Sequence, residues 1–192
     1  MLVDITNQSF FYGGKIKLSP FNGWEEKSVT ETYFGRGKHL GVGIGYWSVP
    51  SLEGTINGNS FDLDRRLLNI EVSAHYKGFF IQGEYFKFYD AVKEWETISD
   101  LEVSTSTGWY VTSEYVFDNF YYIAPFVRYE EWDRFEKEDG YDLDSTMVGV
   151  NWYLRGNTIK VGAYFQRDNY GKNTYKDIEK VSIFRLTSQF FF

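Results

Sequence analysis

The last eight residues, Arg185-Leu186-Thr187-Ser188-Gln189-Phe190-Phe191-Phe192, constrain this chain more than any other segment. Read with a period of two, Phe184, Leu186, Ser188, Phe190 and Phe192 share one side, while Arg185, Thr187 and Gln189 share the other. A closing strand that is apolar on one side, polar on the other and finished by a terminal Phe is unusual in a soluble sheet. The same alternation recurs along the chain, so it describes the whole molecule and not only its end.

Composition narrows the fold class. Aromatic residues make up 21% of the chain, yet mean hydropathy is −0.41. No apolar run approaches the ~18 residues that would suggest a membrane-crossing helix. A transmembrane β-barrel turns only alternate residues to lipid, which keeps hydropathy low while its interfacial girdles raise Tyr, Trp and Phe. A net charge of −7 argues against a nucleic-acid partner. The lack of Cys suits passage through an oxidising periplasm. With 192 residues and no linker-like tract, one domain over 1–192 is expected. The opening Met1-Leu2-Val3-Asp4-Ile5-Thr6 has no basic segment followed by an apolar core. An exported protein with this start is expected to be a mature form, a recombinant form or a fragment.

Nine strand candidates follow from the alternation: residues 10–18, 38–49, 66–77, 78–89, 106–117, 119–131, 145–154, 157–169 and 181–192. Each is about ten residues, the length a tilted strand needs to cross a bilayer core. Lys77-Gly78, Asp118-Asn119 and Arg155-Gly156-Asn157 are predicted tight turns, with Gly or Asn supplying positive φ. The connections 50–65, 90–105, 132–144 and 170–180 are predicted long, charged loops. Short turns at one end and long loops at the other is the asymmetry of an outer-membrane barrel. Segment 22–37, with Trp24-Glu25-Glu26-Lys27, breaks this pattern, and is expected to be a small periplasmic element or a further strand.

Period-two reading assigns an apolar face to Leu40, Val42, Ile44 and Tyr46; to Leu68, Ile70, Val72, Ala74 and Tyr76; to Val148, Val150, Trp152 and Leu154; and to Ile159, Val161, Ala163 and Phe165. The opposite face carries Lys15, Lys17, Glu71, His75, Glu84, Glu114, Arg128, Glu130, Lys160 and Arg185. Inside a dry barrel such charges would be costly, whereas a water-filled lumen solvates them. These ten residues are therefore the expected pore lining. Their mixed signs predict no strong preference for either ion sign. The reverse arrangement, a soluble lipocalin-like barrel with the apolar stripes around a ligand, is the alternative.

No phosphate-binding glycine loop, Cys/His metal cluster or elbow-type nucleophile motif is present. Gly41, Gly43 and Gly45 alternate within a strand and read as a small inner face. Glu71, Ser73 and His75 share a face, but one flat strand does not aim a hydroxyl at an imidazole. No reaction and no cofactor are expected; a lipid-modifying barrel enzyme is the alternative to wall residues. Acidic stretches such as Glu136-Lys137-Glu138-Asp139 and Asp142 would bias entry toward cations, bind divalent ions, or simply be solvated.

The terminal strand resembles the signature by which bacterial outer-membrane barrels are recognised for insertion, with Phe184, Leu186, Phe190 and Phe192 as its apolar positions. The series Gly78-Phe79-Phe80-Ile81-Gln82-Gly83-Glu84-Tyr85, Gly108-Trp109-Tyr110-Val111, Ala124-Pro125-Phe126-Val127-Arg128-Tyr129-Glu130 and Val148-Gly149-Val150-Asn151-Trp152-Tyr153-Leu154 resembles the end of a phosphate-selective porin O and P family member. The resemblance covers roughly 38–192 and implies a large barrel, commonly trimeric, that passes small hydrophilic solutes, anions such as phosphate among them. It implies contact with outer-membrane lipid and lipopolysaccharide, and delivery by the barrel-assembly machinery. Counting back from a periplasmic end makes the first of the nine strands begin outside the cell. The expectation is an all-β antiparallel transmembrane barrel, the carboxyl-terminal portion of one with about 16–18 strands. A missed strand in 1–37 would instead give a small complete barrel with a structural, adhesive or lipid-modifying role.

Overall fold

The computed structural model describes residues 3–20, 38–56, 59–95, 104–133, 140, 142–172 and 179–190. They form one antiparallel sheet of ten strands, with no helix and no closure. The strands are β1 Val3–Gln8, β2 Tyr12–Leu18, β3 Lys38–Ile56, β4 Asn59–Tyr76, β5 Phe79–Trp95, β6 Ser104–Tyr115, β7 Ile123–Asp133, β8 Asp142–Asn157, β9 Ile159–Tyr170 and β10 Lys180–Phe190. From β3 to β10 each strand pairs with the next, as a meander.

β1 and β2 both pair with β3, as two halves of one broken strand. The break faces a bulge in β3 between Val49 and Leu52. Pro50 lies in that bulge, where its missing N–H removes a ladder bond. Ser9 and Ser51 bridge the gap: the Ser9 N–H donates to the Ser51 carbonyl at 2.9 Å, and the Ser51 N–H donates to Ser9 Oγ at 2.9 Å. Pro125 is accommodated on the same principle. It pairs with Val150 of β8, while the β6 ladder stops one residue earlier at Phe126.

Two expected loops are partly strand. Segment 50–65 is a long charged loop by sequence, but β3 and β4 continue into it, with Leu52 opposite Leu63 and Gly54 opposite Phe61. β5 likewise runs on to Trp95. The β3–β4 extension alternates polar and apolar residues, and its acidic content disguises the alternation as loop, whereas the β5 extension is interrupted by a register shift between its pairs with Asp62 and Leu63. β1 was not anticipated. The 22–37 segment and Glu136-Lys137-Glu138-Asp139 lie outside the described residues, apart from which the connections after β7 and β9 fall where expected.

The turns also differ from expectation. At Lys77-Gly78 the positive φ, 53°, falls on Lys77. Gly78 is needed for another reason: a Cβ there would collide with the Val116 carbonyl oxygen, and the Val116 N–H donates to Gly78 O at 2.8 Å. The turn at Asp118-Asn119 is wider, running through Tyr122 to a bridge between Phe117 and Ile123. Its positive φ values fall on Tyr121 (54°) and Tyr122 (55°), not on Asn119.

Register sorts the side chains into two faces. One row across eight strands is Leu40, Ala74, Ile81, Ser113, Val127, Val148, Phe165 and Phe184. The row one residue along carries Gly41, Ser73, Gln82, Thr112, Arg128, Met147, Gln166 and Ile183. The apolar face is the exposed one: Ile44, Val72, Val148, Leu154 and Phe165 all stand open. Seven of the eight buried polar residues among the described ones, His39, Asn69, His75, Glu114, Ser145, Gln166 and Asp168, lie on the other face; Ser48, beside the β3 bulge, shares the side of Ile44 and Tyr46. The buried hydrophobic set among the described residues is small, namely Phe61, Phe80, Val116, Ala124 and Tyr153. The sheet thus has little core of its own and a large uncovered apolar surface.

Candidate functional site on the polar face

Side chains from β5 through β10 line a single cavity of ≈ 550 Å³ on the polar face. Six neighbouring strands can share one cavity only if the sheet curls toward that face, as a twisted antiparallel sheet does. The polar face is therefore the concave one.

All ten residues expected to line a pore stand on this face, grouped into clusters by register. Near β2 the Lys15 Nζ lies 2.5 Å from Glu71 Oε2, and the Lys17 Nζ lies 3.7 Å from Glu71 Oε1. The glycine row of β3 makes room for them. A Cβ on Gly43 would sit 2.8 Å from the Glu71 Cγ, so Glu71 can lie flat against the sheet. Beside this pair, Asn69 Nδ2 donates to Glu84 Oε1, and Gln82 Nε2 donates to the Tyr110 hydroxyl at 3.0 Å.

Arg128 holds the middle of the wall. Its Nε donates to Glu130 Oε2 at 2.8 Å, and its guanidinium lies 3.9 Å from the Tyr110 ring centroid. Its Nη1 reaches Thr112 Oγ1 at 3.5 Å. Toward the short-turn end, Glu114 is 6% exposed. It accepts from Asn151 Nδ2 at 2.5 Å and from the Tyr153 hydroxyl at 2.8 Å, so both carboxylate oxygens are held. Lys160 Nζ stands 5.7 Å from the Tyr153 ring centroid. Arg185 is exposed on the same face, opposite Tyr164.

The grouping of Glu71, Ser73 and His75 does not assemble into a relay. Ser73 Oγ meets Nε2 of His39, on the neighbouring strand, at 3.2 Å, and Glu71 is engaged by the two lysines. His39 and His75 are cross-strand partners with stacked rings, 5.5 Å apart and 16° from parallel. Among the described residues no group of three or more His, Cys, Asp or Glu could hold a metal ion.

Several side chains of this face escaped the sequence reading: His39, Phe80, Tyr110, Phe126, Tyr153, Tyr164 and Asp168. Parity alone would have found them, since Tyr110 precedes Thr112 by two residues and Asp168 follows Gln166 by two. On the convex face, Phe184, Leu186 and Phe190 are exposed at 66, 74 and 55%. Phe192 lies outside the described residues.

Among the described residues no helix is long and apolar enough to cross a membrane. Comparison of the chain with protein-family models, curated proteins and solved structures finds no match.

Proposed function

We propose that this chain forms wall of an outer-membrane β-barrel whose water-filled lumen lets ions and small hydrophilic solutes diffuse across. The observation that carries the reading is the inversion of the two faces. The apolar residues stand exposed on the convex side, while paired charges and hydrogen-bonded polar groups gather on the concave side. Lipid would cover the first and water the second. Charges at the lipid-facing midplane of a barrel cost about 2–4 kcal/mol each, while lumen charges cost little. A soluble barrel with an apolar interior would have the opposite curvature.

The open edges extend the proposal. Eight antiparallel steps separate β1/β2 from β10, so both edge strands run the same way. In hydrocarbon an unpaired strand edge would leave each N–H and C=O unsatisfied at several kcal/mol apiece. Closure by antiparallel pairing takes an odd number of further strands, and a barrel of about 16–18 strands satisfies that parity. The porin O and P resemblance points to the same architecture, and its trimeric habit is part of the proposal. Phe184, Leu186 and Phe190 are the positions proposed for recognition by the assembly machinery. The convex face is proposed to meet lipid and lipopolysaccharide.

The test is single-channel recording in a planar bilayer, with reversal potential measured under a salt gradient. Discrete conductance steps are expected. Folded protein that stays silent, both alone and with candidate partner strands supplied, would overturn the proposal.

A further inference from the structure

The ≈ 550 Å³ cavity between β5 and β10 has a chemistry of its own. Its charges are already engaged. Glu114 is fixed by Asn151 and Tyr153, at 2.5 and 2.8 Å. Arg128 is taken by Glu130 at 2.8 Å and stacked on Tyr110. Lys160 lies over the Tyr153 ring. Two acids, Glu114 and Glu130, and two bases, Arg128 and Lys160, are thereby engaged in and beside the cavity, while Arg185 stands exposed at its β10 side, opposite Tyr164. A buried carboxylate on its wall repels anions, and the neighbouring cations offset any pull on a metal ion.

The remaining lining is neutral and of two kinds. Phe126 and Tyr164 meet edge to face at 5.9 Å, both half-buried on the wall. Around them stand the amides and hydroxyls of Gln82, Thr112, Thr187 and Gln189. Pyranose rings fit this pairing. Their C–H faces pack on aromatic rings, whose π-faces are negative. Their hydroxyls both donate and accept, which suits amide and hydroxyl partners. A few polar groups set among aromatic surface is the general form of a small-molecule site.

We propose that this cavity is a binding subsite for a neutral saccharide, with Phe126 and Tyr164 as the stacking platform and Glu114, held by Asn151 and Tyr153, as a fixed hydroxyl acceptor. The inference rests on the diffusion-pore reading and names the solute class of that lumen. In a pore, such a subsite raises the local concentration of its solute and releases it readily.

Binding can be measured apart from conduction. The full chain, folded in detergent, is titrated with glucose, maltose and maltotriose by saturation-transfer NMR, with inorganic phosphate and citrate as anionic probes. Saccharide is expected to bind and the anions not. Phe126→Ala is expected to weaken saccharide binding about three- to tenfold, the range for losing an aromatic contact. Tyr164→Leu, a second variant that keeps a bulky apolar side chain while removing the ring, should do the same. Lys87→Gln, on the convex face and outside the cavity lining, should leave saccharide binding within about twofold. Phosphate binding that Lys160→Gln abolishes, with no saccharide signal, would overturn the inference in favour of an anion site. Conductance without any saccharide binding would also overturn it and leave the pore standing. Saccharide binding by a chain that never conducts would uphold the subsite and reject the pore.

Discussion

Phe165 and Gln166 are chain neighbours in β9, yet the phenylalanine is 50% exposed and the glutamine 8%. Their cross-strand partners follow them in exposure: Val148 and Phe184, beside Phe165, stand exposed, while Met147 and Ile183, beside Gln166, are half-buried. Hydrophobic burial ordinarily drives the apolar partner inward. Here Gln166 finds Asp168, with Nε2 donating to Oδ1 at 2.8 Å, while half of Phe165 is left uncovered by the described residues. A face of this kind is what the proposed lipid contact would cover.

A charge on that face is therefore expected to be costly. Val148→Arg should lose about 2–4 kcal/mol of stability in lipid vesicles. Thr112→Arg, on the concave face, should lose less than about 1 kcal/mol. Denaturant unfolding followed by tryptophan fluorescence in vesicles checks the difference.

Glu114 organises the short-turn end of the concave face. Glu114→Ala leaves Asn151 Nδ2 and the Tyr153 hydroxyl without their acceptor and is expected to cost about 1–3 kcal/mol. Tyr153→Phe removes one donor and leaves Glu114 with Asn151, so its cost should be nearer 1 kcal/mol. The same unfolding assay ranks the two.

The β4–β5 turn separates two effects usually credited to one glycine. Lys77→Gly relieves a left-handed side chain, φ 53°, and should change stability by no more than about 1 kcal/mol, in the stabilising direction. Gly78→Val drives a side chain into the Val116 carbonyl and should destabilise by about 1–3 kcal/mol.

Removing the acid shared by two lysines should alter ion preference. Glu71→Gln leaves Lys15 and Lys17 uncompensated on the concave face. The reversal potential is then expected to move toward anion selectivity, and the shift should shrink as salt rises. An unchanged potential would mean that these side chains do not border the ion path.

Much of this molecule is legible in the sequence. Strand alternation in Val148-Gly149-Val150-Asn151-Trp152 or Ile159-Lys160-Val161-Gly162-Ala163 fixes both strand and face, because pleating leaves no third direction. The hairpin extensions in 50–65 were hidden because Glu53, Asp62 and Asp64 look like loop residues when charge is weighed above periodicity. Positive φ at Lys77, Tyr121 and Tyr122 could not be read from residue type, since tertiary pairing of Gly78 with Val116 and of Phe117 with Ile123 imposes it. Pairings such as Glu114 with Tyr153, or Ser73 with His39, depend on which strands adjoin. Parity alone does not give that until the meander is known.

The most direct test is to ask which medium each face meets. The chain has no Cys, so single cysteines at positions 147, 148, 165 and 166 can each carry a spin label in bilayer-reconstituted protein. Labels at 148 and 165 should respond to lipid-soluble oxygen, and labels at 147 and 166 to a water-soluble nickel chelate. Equal nickel access at all four positions, or the reverse alternation, would contradict a lipid-facing convex surface and a wet concave one.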